Sequence, residues 1–93
     1  MPAYFICEVT VTDPEAYEDY RHRVPPTIEK YGGRVLARAV TEPLEGMSEG
    51  TRMVVIEFAD AGALKRWYEA DDVRPLNAMR QSASHSRALM IEG

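Results

Sequence analysis

Residues 3–33 read AYFICEVTVTDPEAYEDYRHRVPPTIEKYGG, and the change of rhythm at Asp13 decides the fold. Before it, apolar residues alternate. Phe5, Cys7, Val9 and Val11 form one face of a strand over Ala3–Thr12, and Tyr4, Ile6, Glu8 and Thr10 form a mixed second face. Asp13-Pro14-Glu15 then starts a helix. The aspartate caps free N–H groups, the proline occupies a position that needs no N–H, and the glutamate faces the positive end of the dipole. Tyr17, Tyr20, Val24, Ile28 and Tyr31 recur at helical spacing. Pro25-Pro26 predicts a kink or a short break in that helix, and Gly32-Gly33 ends it.

Working outward, a second strand reads over Arg34–Val40, with Val35, Ala37 and Ala39 on one face and Arg34, Leu36, Arg38 and Val40 on the other. Residues Thr41–Thr51 form a loop broken by Pro43, Gly46 and Gly50, and Arg52–Phe58 form a third strand. Asp60 caps a helix with Leu64, Trp67 and Tyr68 on its apolar side; a further helix spans Val73–Ser84, and a last strand spans Arg87–Glu92. The order βαββαβ predicts one α+β ferredoxin-like domain over residues 1–93. Its antiparallel sheet runs 4-1-3-2, with the helices on one face. The other face would expose Tyr4, Ile6, Leu36, Val40, Met53 and Val55, which favours a homodimer built sheet to sheet.

Composition narrows the function. Eleven basic residues against fifteen acidic give a net charge of −4, with no basic face for a nucleic acid. No apolar run is long enough for a membrane helix, and no export signal is seen. One cysteine, Cys7, excludes an internal disulfide and fits a cytoplasmic protein. With two scattered histidines, His22 and His85, no metal site has ligand spacing, and no cofactor is expected. His22 reads as solvated, and His85 reads as a dipole partner at a helix end.

Seven pieces of sequence carry a family resemblance: Val11-Thr12-Asp13-Pro14-Glu15-Ala16-Tyr17 with Tyr20; Lys30-Tyr31-Gly32-Gly33-Arg34; Leu44-Glu45-Gly46; Val54-Val55-Ile56-Glu57-Phe58; Trp67-Tyr68; Leu76 to Arg80; and Glu92-Gly93. In their order and spacing the chain resembles the domain-of-unknown-function (DUF) family 1330, of the dimeric α/β-barrel superfamily. The resemblance implies the ferredoxin-like fold and a dimer, and it supplies no established reaction. Two departures stand out. Ala59-Asp60 follow the third strand where the family usually has a proline and a small polar residue. Val73 stands where the family often has an aromatic residue.

The residues offer one sharp chemical candidate. By strand parity Glu8, Glu57 and Arg38 share the open sheet face. Two carboxylates held together would split their pKa values, so that Glu57 or Glu8 serves as a base, with Arg38 as an anion anchor. The plainer reading is an ion network that sets dimer register. Arg80, on the flank of the Met79 stripe, reads either as a carboxylate anchor in a pocket or as a surface arginine pairing with Asp71 or Asp72. Tyr20, Trp67 and Tyr68 read as core residues that can also wall a ligand cavity. Cys7 reads as an inert buried thiol. The expected function is the binding of a small organic metabolite in a cavity at the open sheet face. The alternative, allowed by the superfamily resemblance, is a cofactor-independent oxygenase- or isomerase-like enzyme.

Overall fold

The computed structural model describes residues 1–46 and 51–93. Strand β1 (Ala3–Val11) is followed by helix α1 (Pro14–Lys30), strands β2 (Arg34–Val40) and β3 (Arg52–Phe58), helices α2 (Ala61–Glu69) and α3 (Arg74–Ala83), and strand β4 (Ser84–Glu92). The strands form one antiparallel sheet in the order β2-β3-β1-β4, which is the expected order read from the other edge. Of the loop between β2 and β3, Gly50 lies outside the described residues.

The helices cover one face of the sheet. Ala3, Phe5, Cys7 and Val9 of β1 and Ile56 and Phe58 of β3 bury against Tyr17, Tyr20, Val24 and Ile28 of α1, Leu64 and Trp67 of α2, and Leu76 and Ala83 of α3. Trp67, 1% exposed, is the hub. It meets the Phe5 ring edge-on at 5.1 Å and the Phe58 ring at 5.3 Å, and its indole N–H donates to the Thr27 hydroxyl at 3.1 Å. A buried aromatic needs both apolar surroundings and a partner for its polar atom, and Trp67 has both.

Helix α1 starts as its sequence dictates: the Asp13 carboxylate accepts from the Ala16 N–H at 3.2 Å. No break occurs at Pro25-Pro26; α1 runs through them as one helix. The two prolines remove the N–H groups that would reach the carbonyls of Arg21 and His22. Val24 and Ile28, before and after them, are both buried, and that anchorage on either side keeps the helix together. The C-terminus closes with Gly32 N–H on the Glu29 carbonyl and Gly33 N–H on the Ile28 carbonyl, at 3.1 and 2.8 Å. Gly32 has φ +82°, the left-handed conformation that this closure requires. Gly33 is needed for space, since a Cβ there would stand 2.7 Å from the Phe58 ring.

Two details of the sheet depart from the sequence reading. First, β4 begins at Ser84, so His85 is a strand residue opposite Thr10 and does not end a helix. Second, β2 carries a bulge. Val35 pairs with Ile56, but Ala37 pairs with Val55, leaving Leu36 as an extra residue. An extra residue reverses the alternation beyond it. Arg38, opposite Val54, and Val40, opposite Arg52, therefore lie on the helix side of the sheet.

Candidate functional site

The three-residue cluster expected on the open face does not assemble. Glu8 lies opposite Met53, while Glu57 lies opposite Tyr4, four residues farther along β1. At ~3.3 Å per residue the two carboxylates are about 13 Å apart along the strand. Each has its own cross-strand arginine. Glu57 accepts from Arg34, its direct partner on β2, at 2.9 Å, and Glu8 accepts from Arg87, its direct partner on β4, at 3.4 Å. Arg38 is on the other face, because of the Leu36 bulge.

The helix side holds a different constellation. Between α1, α3 and the sheet lies a narrow pocket lined by Cys7, Tyr17, Tyr20, Arg21, Val24, Val35, Arg38, Val54 and Arg80. Its accessible volume is about 30 Å³, room for little more than a small polar group. At its floor sits Arg80, only 2% exposed. Neither of the expected pairings forms: Asp71 binds Arg74 at 2.6 Å, and Asp72 binds Lys30 at 2.9 Å. Arg80 instead turns inward. Its Nη1 donates to the Ser86 hydroxyl at 2.6 Å and approaches the Cys7 sulfur at 3.7 Å. Its Nε and Nη2 are buried without a hydrogen-bond acceptor among the described residues. A buried guanidinium whose donors are unpaired is costly, and the cost is recovered when an anion arrives.

The surrounding groups keep the pocket positive. Burial pushes the Cys7 thiol up from its ordinary value, with Arg80 only partly opposing, so the sulfur stays protonated. Burial likewise raises the Tyr20 hydroxyl to about 12, again against Arg80. Tyr17 is raised by burial too, while the guanidinium groups of Arg52, Arg80 and Arg21 act in the opposite direction. Among the described residues, no acidic side chain lines this pocket.

Of the other expected site residues, Tyr20 lines this pocket and Trp67 is confined to the core. Tyr68 lines a second, wider cavity of about 260 Å³ between α2 and β4, walled by Phe5, Leu64, Ala88 and Met90. Sequence reasoning missed Tyr17 and Arg21 as pocket residues. Arg21 follows Tyr20 and lies one turn after Tyr17, so the flank of the apolar stripe carried that signal. Among the described residues, no three His, Cys, Asp or Glu side chains converge on a metal-binding arrangement.

Comparison with known proteins places this geometry. The family model described as "Domain of unknown function (DUF1330)" matches residues 2–93. The chain belongs to the DUF1330 family. A comparison with curated proteins finds no match. Among solved structures, the DUF1330 chain is similar to a protein of unknown function from Rhodopseudomonas palustris, with TM-score 0.82 and 20% identity over 99% of this chain and 82% of that one. It is similar to SnoaB, a cofactor-independent oxygenase from Streptomyces nogalater, with TM-score 0.73 and 14% identity over 99% and 92% of the two chains. It is also similar to a dimeric ferredoxin-like protein of unknown function from Thermobifida fusca, with TM-score 0.72 and 14% identity over 100% and 92%. At these identities the likeness is one of fold, and the DUF1330 chain shares the ferredoxin-like architecture with all three.

Proposed function

We propose that this DUF1330 protein is a homodimeric module that binds a small organic carboxylate on the helix side of its sheet, with Arg80 holding the acidic group. The observation that carries this reading is the buried Arg80 guanidinium, with Nε and Nη2 unpartnered at the floor of a pocket. A carboxylate offers two coplanar acceptors, which match the fork of an arginine. Tyr20 supplies a hydroxyl that stays protonated at neutral pH and donates to the same group. The binding place expected from sequence moves from the open face to the helix face, following Arg38 and Arg80.

The open face then serves the dimer. It carries Ile6, Val55, Leu89 and Ile91, the last two each 50% exposed in the single chain. Covering them against a second copy removes apolar area from water at ~25 cal/mol per Å². The cytoplasm remains the expected compartment, since the one thiol is unpaired and buried.

Calorimetric titration of the purified protein with a panel of small carboxylates tests the binding reading. Saturable binding that Arg80→Met abolishes supports it; binding untouched by Arg80→Met sinks it.

The likeness in fold to a cofactor-independent oxygenase favours a second reading, an enzyme acting without a cofactor. Its substrate would be an organic anion whose charged oxygen rests on Arg80, away from water. This reading assigns no role to Glu57 or Glu8, each already engaged by an arginine on the other face. Oxygen uptake with an activated phenol or enol, lost in Arg80→Met, distinguishes it from plain binding.

A further inference from the structure

We infer that the ligand carries two acidic groups joined by a short apolar spacer, one on Arg80 and the other at the pocket mouth on Arg38, with Arg21 beside it. This rests on the carboxylate-binding reading above and extends it to the class of ligand.

Sheet register supplies the geometry. Cys7 lies opposite Val54 on β3, and Val54 lies opposite Arg38 on β2, so the three form one row across the sheet. All three line the pocket. Arg80 marks the Cys7 end of the row, with Nη1 3.7 Å from the sulfur. Arg38 marks the other end, two strand spacings away, or about 10 Å at the level of the backbone. Between them the lining is apolar: Val54 and Val35 from the sheet and Val24 and Ile28 from α1. The row is cationic at each end and apolar in the middle.

The charges in it are unspent. In a chain with net charge −4, no carboxylate lies within ion-pair distance of Arg38, Arg52 or Arg80 among the described residues. Arg52 stands opposite Val40 and Val9, on the same face as Arg38 and diagonal to it. Two like charges at diagonal positions repel unless an anion lies between them. Arg21 gives one terminal nitrogen to Glu18 at 3.0 Å, yet its Nε is buried without an acceptor. The narrow space beside Arg80 suits one acidic group, and the exposed Arg38 and half-buried Arg21 offer the place for a second.

The test is calorimetric titration of the intact protein with glutarate, adipate and pimelate against hexanoate, in wild type, Arg38→Gln and Arg80→Met. Arg38 is exposed, so its replacement leaves the fold in place. The expected result is that at least one diacid binds about tenfold or more tightly than hexanoate, the worth of an added charge-assisted contact. Arg38→Gln should bring the affinity for the diacid down to that for hexanoate. Equal affinity for hexanoate and every diacid overturns the two-acid inference while the single-carboxylate reading stands. So does a diacid advantage that survives Arg38→Gln. Failure of both ligand classes to bind, or binding unaffected by Arg80→Met, overturns the carboxylate reading and this inference together.

Discussion

The two faces of one sheet treat charge in opposite ways. On the open face Glu57 meets Arg34 and Glu8 meets Arg87, each directly across a strand pair, with the carboxylates 27% and 30% exposed. On the helix face Arg80 is almost wholly buried and meets no carboxylate among the described residues. A half-exposed pair is satisfied within the chain and asks for nothing more. A buried charge with free donors is a standing cost that a folded protein keeps for a reason outside itself. Charged residues alone do not mark a site; the carboxylate proposal rests on the mismatch between burial and pairing.

The comparison can be pressed first on the packed part of the helix face. Trp67→Ala should lower the free energy of unfolding by about 3–5 kcal/mol, because it empties the centre of the core. Urea denaturation measures this. A loss below about 1 kcal/mol would mean that Trp67 is a ligand wall and not a core residue.

Arg80→Met should separate binding from stability. Carboxylate affinity should fall by about 2–5 kcal/mol, the usual effect of removing one partner of a buried charged contact. The unliganded protein should be no less stable, and by analogy with buried ion pairs replaced by apolar residues it gains up to ~4 kcal/mol. Destabilisation of the unliganded variant by several kcal/mol would make Arg80 a structural residue, and the contrast between the faces would collapse.

Alkaline titration reads the same pocket through Tyr20. Its folded pKa, about 12, stands above the ordinary tyrosine value of ~10. A raised folded value means that the stability it contributes is whole below pH ~10 and is lost as pH rises from ~10 to ~12. The loss is on the order of 3 kcal/mol, and Tyr17, shifted in the same direction, adds to it. Phenolate absorbance followed alongside unfolding measures it. In Arg80→Met the Tyr20 titration should move higher still, because the guanidinium that favours the phenolate is gone. A downward move would break the assignment.

The smallest effect belongs to the open face. Glu57→Gln and Glu8→Gln should each change stability by less than ~1 kcal/mol and leave carboxylate affinity unaltered. A large loss of ligand binding in either would return the site to that face.

Much of this was legible in the chain. Alternation in Phe5-Cys7-Val9, the Asp13-Pro14 start and the Gly32-Gly33 stop each state their element locally, so order and layering followed. The Leu36 bulge was not legible. Residues Arg34 to Val40 are exposed and weakly patterned, and no apolar set pins one phase of alternation over the other. Arg38 was therefore assigned to the wrong side. Arg80 was half legible. Leu76, Arg80 and Ala83 recur at helical spacing as well as Leu76, Met79 and Ala83 do, and all three of the first set are buried. The hydrophobic choice of Met79 concealed that the guanidinium shares the buried stripe. The continuity of α1 through Pro25-Pro26 was hidden for another reason, since it depends on Trp67 and the sheet, which hold Thr27 and Ile28 from outside the helix.

The bulge also bears on how proteins of this kind diverge. In a strand, a substitution changes one side chain, but whether one residue is bulged out or paired exchanges the two sides for everything beyond it. Pairing Leu36 with Val55 in regular alternation would carry Arg38 out of the pocket and onto the open face, whereas deleting Leu36 would keep Arg38 opposite Val54 on the helix side. Two relatives with the same arginine in the same aligned column, one with the bulge and one with a regular strand, would then present it on opposite faces. The register of β2 against β3, more than identity at position 38, is the character to follow when a ligand is carried from one such protein to another.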